Sequence, residues 1–184
     1  DSLQRGANIR AKASQCKAGD IVLEKGARLT AAACAMLAGL GIERIKVNKR
    51  PTIDIVVTGN ELIRPPETLR DGKVYESNSF ALKNLLKQMQ LDDIRIRKAA
   101  DLAADINQKI GDGLKAQVLL ITGGISVGKY DLVKDALEKN GVQEIFHKLA
   151  QKPGKPFYFG KKGNTLIFGL PGNPGSVMSC FYLL

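Results

Sequence analysis

The sequence predicts an α/β domain with a mostly parallel sheet, preceded by a small N-terminal α/β segment. Short β-branched runs after Pro51, such as residues 53–57, are typical of strands buried on both faces. These runs alternate with stretches whose apolar residues recur every three or four positions, as on one face of a helix. Glycine and small polar residues follow several of the runs. Such alternation favours a parallel sheet, with ligands bound beyond the carboxyl ends of its strands.

The N-terminal part of the chain has a different pattern. Thr30 is a suitable N-cap for a helix over residues 31–40, which glycines are placed to end. Residues 42–47 then alternate apolar and charged side chains, which predicts a half-buried strand. A basic stretch ending in proline follows. We therefore divide the chain into residues 1–50 and 51–184.

The elements after this boundary follow from the same periodicities. Strands are expected at residues 53–57, 94–96, 118–121, 157–159 and 166–168, with a turn at 161–164 joining the last two. Helices are expected at 102–114 and at 131–139, and another from Gly172-Asn173-Pro174 to Leu184. A further helix is expected after Ser77 or Asn78, either of which can cap it. Its apolar residues are Phe80, Leu82, Leu85, Leu86 and Met89. An apolar helix still running at the last residue favours a fragment of a longer protein.

Composition narrows the possible functions. The net charge is +10, but aromatic residues make up 5% and tryptophan is absent, so a basic surface or a small-anion site is favoured over nucleic-acid binding. No apolar run approaches the roughly 18 residues of a membrane-spanning helix. Three widely spaced cysteines favour reduced, largely buried thiols in the cytoplasm. The single histidine disfavours a structural zinc site.

Residues 122–128, Thr-Gly-Gly-Ile-Ser-Val-Gly, lie between a predicted strand and a predicted helix. Backbone N–H groups in such a loop and at the helix N-terminus suit an anion, and glycine allows close approach. The spacing matches neither the dinucleotide-binding fingerprint nor the P-loop, because tyrosine follows Gly128-Lys129. A tight turn with no ligand is the alternative interpretation.

A second segment is strongly basic. Residues 146–164 contain five lysines and no acidic residue, and Lys152-Pro153-Gly154-Lys155-Pro156 stiffens the middle. A solvated charge run is the alternative interpretation. A site that holds an oxyanion needs fixed geometry, however, and lysine supplies the point charge that phosphate-like groups require.

Carboxylates and a third loop complete the candidate site. Glu61, Asp101 and Asp131 lie at predicted strand or loop ends, where carboxylates hold Mg²⁺ or neutralise lysine. Helix capping is the alternative for Asp101 and Asp131. Residues 169–176, Gly-Leu-Pro-Gly-Asn-Pro-Gly-Ser, follow a strand and open a helix whose amides, with Ser176, suit a second anion. A plain strand–turn–helix connection is the alternative there.

Five segments in series carry a family resemblance. They are Thr58-Gly59-Asn60-Glu61-Leu62, Tyr75-Glu76-Ser77-Asn78, residues 122–131, Lys152-Pro153-Gly154-Lys155-Pro156 and Gly169-Leu170-Pro171-Gly172-Asn173-Pro174. In this order they resemble the molybdopterin molybdenumtransferase family of the MoeA type, which includes the E domain of gephyrin. The resemblance covers nearly the whole chain and implies a three-layer αβα domain with the MogA/MoaB-like molybdopterin-binding fold. Asn60 and Gln151 depart from the family pattern, which usually has aspartate and a hydrophobic residue there.

The resemblance also implies an activity and its residues. The family inserts molybdate into adenylylated molybdopterin and releases AMP, with Mg²⁺. The implied catalytic residues are Glu61, Asp131, Lys148, Lys152 and Lys155, and the implied metal ligands are Glu61, Asp131 and Asp101. The implied substrate-binding residues are Thr58, Gly59, Ser77, Asn78, Gly123, Gly124, Ser126, Gly128, Pro171, Gly172, Asn173 and Ser176.

The same resemblance sets expectations for domains and partners. Residues 1–50 correspond to part of a linker or dimerisation segment and residues 51–184 to the molybdopterin-binding domain, with the family's C-terminal β domain absent. The full-length family members are homodimers, and other enzymes of molybdopterin synthesis are possible partners, whereas nucleic acid and membrane are not expected. The alternatives are a non-catalytic molybdopterin-binding or scaffold module and a molybdopterin adenylyltransferase.

Overall fold

The computed structural model describes residues 5–125 and 131–184. Ser126 and Gly128, two of the predicted substrate-binding residues, lie outside the described residues. The chain forms two compact units, Asp1–Asn48 and Lys49–Leu184. The second unit carries every predicted site residue.

The first unit contains helix α1 (Ala31–Gly39), as the sequence predicts. Thr30 is its N-cap, and Thr30 Oγ1 accepts a hydrogen bond from Ala33 N at 3.2 Å. The strand predicted over residues 42–47 is wrong, because these residues form no strand and both Ile45 and Val47 are exposed. A strand needs a neighbouring strand to bond its backbone N–H and C=O groups. Among the residues described in this unit, no strand is available as that neighbour.

In its described part, the second unit is built on a six-stranded sheet with helices on both faces. The sheet contains β1 (Ile53–Thr58), β4 (Ile94–Ala99), β5 (Val118–Thr122), β6 (Gln143–His147), β7 (Tyr158–Lys162) and β8 (Thr165–Leu170), in the order β4-β1-β5-β8-β7-β6. A separate small sheet pairs β2 (Leu62–Ile63) with β3 (Val74–Tyr75). The helices are α2 (Asn78–Gln88), α3 (Ala103–Gly113), α4 (Leu132–Lys139) and α5 (Pro174–Phe181).

The strand directions bring the predicted loops to one edge of the sheet. β4, β1, β5 and β8 are parallel neighbours, as predicted, whereas β7 is antiparallel to β8 and β6 is antiparallel to β7. β6 therefore points the same way as β8. The loops that follow β1, β5, β6 and β8 all leave the sheet at this edge, called here the carboxyl edge.

Alternation of side chains along β1 places apolar residues on both faces of the sheet. Val56 packs in one core with Ile106 of α3 and Leu137 of α4. Ile55 packs in the other core, which includes Val177 of α5 and residues of α2. Two cores on one sheet give the predicted three layers, and they hold the strand ends in fixed positions.

The start of α2 differs from the sequence prediction. Ser77 occupies the N-cap position, but its side chain makes no capping hydrogen bond. Glu76 Oε1 instead accepts from Ser79 N at 2.7 Å. Phe80 and Met89, predicted on the apolar face of α2, are 71% and 60% exposed. The apolar stripe of this helix is therefore narrower than its sequence suggests.

Two other elements also differ. β6 is not predicted by the sequence, because it is an edge strand whose first three residues are exposed and lack an apolar repeat. The helix predicted to run to Leu184 ends at Phe181. Leu183 N bonds to Cys180 O at 3.0 Å and Leu184 N bonds to Phe181 O at 3.1 Å, so a tighter turn ends the helix.

The expectation for the cysteines is only partly right. Cys16, Cys34 and Cys180 are unpaired. Cys180 is buried and Cys16 is partly buried, but Cys34 is exposed because α1 buries only Ala33 and Leu37. No helix in the described ranges has the length and apolar character needed to cross a membrane.

Asp54 on β1 is a buried carboxylate that pairs with Arg97 on the neighbouring strand β4. Its side chain is 2% exposed and accepts from Arg97 Nε at 2.8 Å and from Arg97 Nη2 at 3.1 Å. This hydrogen bonding raises the pKa of Arg97. In Asp54→Ala the guanidinium loses its partner, so we expect the free energy of unfolding to fall by about 3 kcal/mol. Urea denaturation measures the loss.

Asp92→Ala is the matched control for this prediction. Asp92 pairs with Arg50 at 3.5 Å, but the side chains are 67% and 59% exposed. Water screens such a pair, so the loss should stay below about 1 kcal/mol. Equal losses in the two variants would contradict the assigned role of Asp54.

Candidate functional site

The carboxyl ends of β1, β5 and β8 meet in a junction of small residues. Thr58 ends β1, Gly123 and Gly124 follow β5, and Gly172 follows β8. A Cβ on Gly123 would lie 2.5 Å from Thr58 O, and one on Gly124 would lie 2.8 Å from Thr58 Oγ1. Both glycines have positive φ, 81° and 67°. The loop after β5 therefore packs on the end of β1 in a way that requires glycine.

The hydroxyl of Thr58 is a buried polar group at this junction. Thr58 Oγ1 has no hydrogen-bond partner among the described residues. Thr58→Val replaces this hydroxyl with a methyl group of similar size. Since no hydrogen bond to a described residue is lost, we expect the free energy of unfolding from thermal denaturation to be at least that of wild type, or lower by no more than about 0.5 kcal/mol.

Thr122→Val makes the same substitution at the end of β5. Thr122 Oγ1 accepts from Asn78 Nδ2 at 3.4 Å, so this variant loses a buried hydrogen bond. Its free energy of unfolding should fall by about 1 kcal/mol. A Thr58→Val protein that is the less stable of the two would show that the hydroxyl has a structural partner.

The loop after β1 places the carboxylate of Glu61 over Gly59. A Cβ on Gly59, whose φ is 139°, would lie 2.7 Å from Glu61 Oε1. Asn60 N donates to Asp101 Oδ2 at 2.8 Å, and Asp101 N donates to Asn60 Oδ1 at 3.2 Å. This reciprocal pair joins the loop after β1 to the loop after β4. It fixes the backbone on the N-terminal side of Glu61.

Two lysines hold the same loop from outside. Lys73 Nζ donates to Asn60 O at 2.7 Å, and Lys98 Nζ donates to Leu62 O at 2.6 Å. Each bond uses a backbone carbonyl next to Glu61 in sequence. The loop is therefore clamped on both sides of this carboxylate.

A cavity of about 470 Å³ opens at the carboxyl edge. Its lining brings together the loops after β1, β4, β5 and β8 and the segment before β7: Thr58, Gly59, Glu61, Asp101, Gly123, Gly124, Pro156, Pro171 and Gly172. Two clefts of about 580 and 1070 Å³ lie within the first unit. The convergence of glycines and carboxylates makes the carboxyl-edge cavity the candidate site.

The predicted carboxylates divide into two groups. Glu61 and Asp101 share the cavity, whereas Asp131 caps α4, where its Oδ1 accepts from Lys134 N at 2.9 Å. Within residues 5–125 and 131–184, no three His, Cys, Asp or Glu side chains form a group suited to a metal ion. The predicted three-carboxylate metal site is therefore not assembled there. Two carboxylates still suit Mg²⁺, which takes one or two of them together with phosphate oxygens.

Asn78 connects the end of β5 to the loop after β8. Its Nδ2 donates to Gly172 O at 2.8 Å and to Thr122 Oγ1, and its Oδ1 is buried without a partner among the described residues. Asn173 caps α5, because its side chain accepts from Ser176 N at 3.3 Å. Asn78 therefore shapes the loop at the start of α5.

Residues 148–156, which join β6 to β7, form a narrow arch at the carboxyl edge, called here the lysine arch. Lys148 N donates to Phe157 O and Leu149 N donates to Lys155 O, both at 2.8 Å. The side chains of Lys148, Lys152 and Lys155 are exposed. Pro156 at the end of the arch lines the cavity, whereas the predicted catalytic lysines Lys148, Lys152 and Lys155 are not among the residues that line it.

His147, the only histidine in the chain, is the last residue of β6. Its Nε2 is buried without a hydrogen-bond partner in the described part of the chain, and burial lowers its pKa below the ordinary 6.5. The folded state therefore favours the neutral ring. Stability should be unaffected by this group above pH 6.5 and should fall as the pH drops through the lower, folded-state pKa.

An NMR titration of the imidazole gives this pKa directly. Denaturation of wild type and His147→Gln over a pH series gives the linked stability. The variant should lack the part of the acid-induced loss that comes from His147. A measured pKa at or above 6.5 would contradict the expected direction.

Residues 54–184 match a family model described as a probable molybdopterin binding domain. The chain belongs to this family. Two relatives named molybdopterin molybdenumtransferase are 40% identical over 178 residues, in Haemophilus influenzae, and 33% identical over 180 residues, in Synechocystis. Each alignment covers 96% of this chain but only 44% and 46% of the relative. The chain thus spans less than half the length of these relatives.

Solved structures agree with this assignment. The molybdopterin biosynthesis MoeA protein of Pyrococcus horikoshii superposes with a TM-score of 0.72 at 30% identity, over 88% of this chain and 40% of that one. The molybdopterin biosynthesis Mog protein of Mycobacterium ulcerans gives 0.55 at 19% identity, over 74% of this chain and 92% of that one. The second likeness concerns the fold alone, and it confirms the predicted three-layer architecture.

The site of this molybdopterin-binding domain contains features that sequence reasoning missed. Neither the Asn60–Asp101 pair nor the clamping lysines Lys73 and Lys98 was predicted. The available signal was weak: Asn60 stands where the family resemblance leads one to expect aspartate. Ser77, predicted to bind substrate, is not among the residues that line the cavity.

Proposed function

We propose that the protein containing this domain inserts molybdate into adenylylated molybdopterin and releases AMP. The observation that carries the proposal is the shared cavity, in which Glu61 and Asp101 face the loop after β5 and the loop after β8. The names of the relatives, molybdopterin molybdenumtransferase, support the same reaction.

The loops supply hydrogen-bond donors for the anionic parts of the substrates. Backbone amides after β5, including those of Gly123 and Gly124, and amides at the start of α5 suit phosphate oxygens. Lys148, Lys152 and Lys155 neutralise the charge of the pterin phosphate and the molybdate as the two approach. Ser176 adds a hydroxyl at the same helix end, next to Asn173.

Glu61 and Asp101 are the carboxylates that would hold Mg²⁺ in this reaction. When bound, Mg²⁺ withdraws charge from the phosphoanhydride and so makes AMP a better leaving group. The clamp on residues 60–62 keeps Glu61 in place while the substrate enters. Asp131 stabilises the start of α4, where its Oδ1 accepts from Lys134 N.

We further propose a cytoplasmic homodimer for the full-length protein, with other enzymes of molybdopterin synthesis as partners. Apolar side chains at the surface of the first unit support association: Ile9 and Ile21 are 75% and 76% exposed. Light scattering on the full-length protein tests the dimer. A monomer at micromolar concentration would contradict it.

The reaction is tested with the protein in its full length. Adenylylated molybdopterin, Mg²⁺ and molybdate are supplied, and AMP is measured. Molybdate-dependent AMP release is expected. Tight pterin binding without AMP release would favour a non-catalytic binding module, and AMP transfer onto molybdopterin from ATP would favour an adenylyltransferase.

A further inference from the structure

Cys180 lies where α5 touches the lysine arch, outside the residues assigned to the reaction. It is fully buried, at 0% exposure. Its Sγ donates to Gly154 O at 3.6 Å and accepts from Gln151 Nε2 at 3.5 Å. Both partners belong to the arch, between Lys148 and Lys155. The thiol therefore makes two hydrogen bonds to the middle of the lysine arch, one as donor and one as acceptor.

The packing around the thiol leaves no spare room. A Cβ on Gly154 would lie 2.7 Å from Cys180 Sγ and would also collide with the Gln151 amide. Gly154 has a φ of 105°, so glycine is needed for both backbone conformation and contact distance. Cysteine suits this position, because it is small and its sulfur both donates and accepts hydrogen bonds.

The position of Cys180 along α5 connects two parts of the candidate site. Ser176 is four residues earlier, so the two side chains share one face of the helix. One helical turn, about 5–6 Å, separates them along the axis. The start of α5 follows the loop after β8, and Cys180, one turn further along the helix, contacts the lysine arch. A single rigid helix thus contacts both anion-binding elements.

We infer that Cys180 is a positioning residue that sets the lysine arch at a fixed distance from the N-terminus of α5, so that one bound polyanion contacts both. The inference rests on the proposed function of the arch as an anion-binding element. Burial raises the pKa of the Cys180 thiol, so the sulfur keeps the proton that it donates to Gly154 O. The helix then fixes the middle of the arch, from which the exposed lysine side chains extend.

Three variants of the chain separate positioning from general stability. Cys180→Ala removes both hydrogen bonds to the arch, and Cys180→Ser restores a small group that donates and accepts. Val177→Ala is the matched control, because Val177 is buried in the same core of α5 and makes no hydrogen bond to the arch. Denaturation gives the stability change of each variant.

Hydrogen exchange and anion binding are the two readouts. In Cys180→Ala the amide of Leu149, which bonds to Lys155 O within the arch, should exchange about tenfold faster. The affinity for inorganic pyrophosphate, measured by calorimetry, should fall by about tenfold. Cys180→Ser should recover most of both, while Val177→Ala should leave both near wild type at comparable destabilisation.

Each outcome has a distinct meaning. If Cys180→Ala and Val177→Ala change exchange and affinity equally, Cys180 is an ordinary core residue and the inference is overturned. If wild type does not bind pyrophosphate, the anion-binding function fails, and amide exchange alone then decides whether Cys180 positions the arch. Faster exchange in Cys180→Ala with unchanged pyrophosphate affinity would overturn the link between arch position and ligand.

Discussion

Glu61→Gln is expected to lower the rate of AMP release by the full-length protein by about 100-fold. The substitution keeps the shape of the side chain over Gly59 and removes the negative charge that the proposed Mg²⁺ needs. The clamp through Asn60 and Lys73 uses backbone atoms of the loop, so it should survive the change. Steady-state assays at several Mg²⁺ concentrations measure the loss and any weaker dependence on the metal.

Glu138→Gln makes the same chemical change at an exposed position near the end of α4 and should leave the rate of AMP release unchanged. Binding of pterin should persist in Glu61→Gln, because the glycine-rich loops are not altered. An active Glu61→Gln protein with normal Mg²⁺ dependence would remove Glu61 from the reaction and leave the binding-module alternative in place.

Gly123→Ala is expected to lower the free energy of unfolding by about 2 to 3 kcal/mol. The new methyl group would meet Thr58 O at 2.5 Å, and the φ of 81° is unfavourable for alanine. The clash is with backbone at the end of a central strand, so no side-chain movement relieves it. Pyrophosphate affinity should fall at least about tenfold, because the loop after β5 must move away from β1.

Gly172→Ala tests the same junction without this clash. The nearest atom to its new Cβ would be Gly123 Cα at 3.9 Å, an ordinary contact distance. Gly172 also has no positive φ. Denaturation should place the stability of this variant close to that of wild type. A Gly123→Ala protein as stable as Gly172→Ala would show that the loop after β5 can shift freely.

Patterns that depend on one segment alone predicted the structure well. The continuous β-branched run of β1 and the capping residue Thr30 are examples, since both are governed by local burial or local hydrogen bonding. The alternating stretch 42–47 misled because alternation forms a strand only when a neighbouring strand is present. β6 was not predicted, because it lacks an apolar repeat. It forms a strand only because it pairs with β7, as the outermost strand of the sheet.

Site features that depend on distant residues were beyond sequence reasoning. Asn60 and Asp101 are 41 positions apart, and Gly154 and Cys180 are 26 apart. Neither pairing leaves a periodic signal in the chain. Order among the motifs, by contrast, was informative, because successive strand ends of a parallel sheet return to the same edge. The position of the cavity could therefore be predicted from the sequence, whereas the contacts that shape it could not.

The reversal of direction between β8 and β7 offers a practical attachment point. The two strands are joined by a short turn at Gly163, whose φ is 55° and whose missing Cβ faces open space. This turn stands at the other end of β8 from the cavity, about 20 Å away for a strand of this length. A fluorophore or affinity tag inserted there can report on the domain inside a crowded assembly without occupying its ligand entrance.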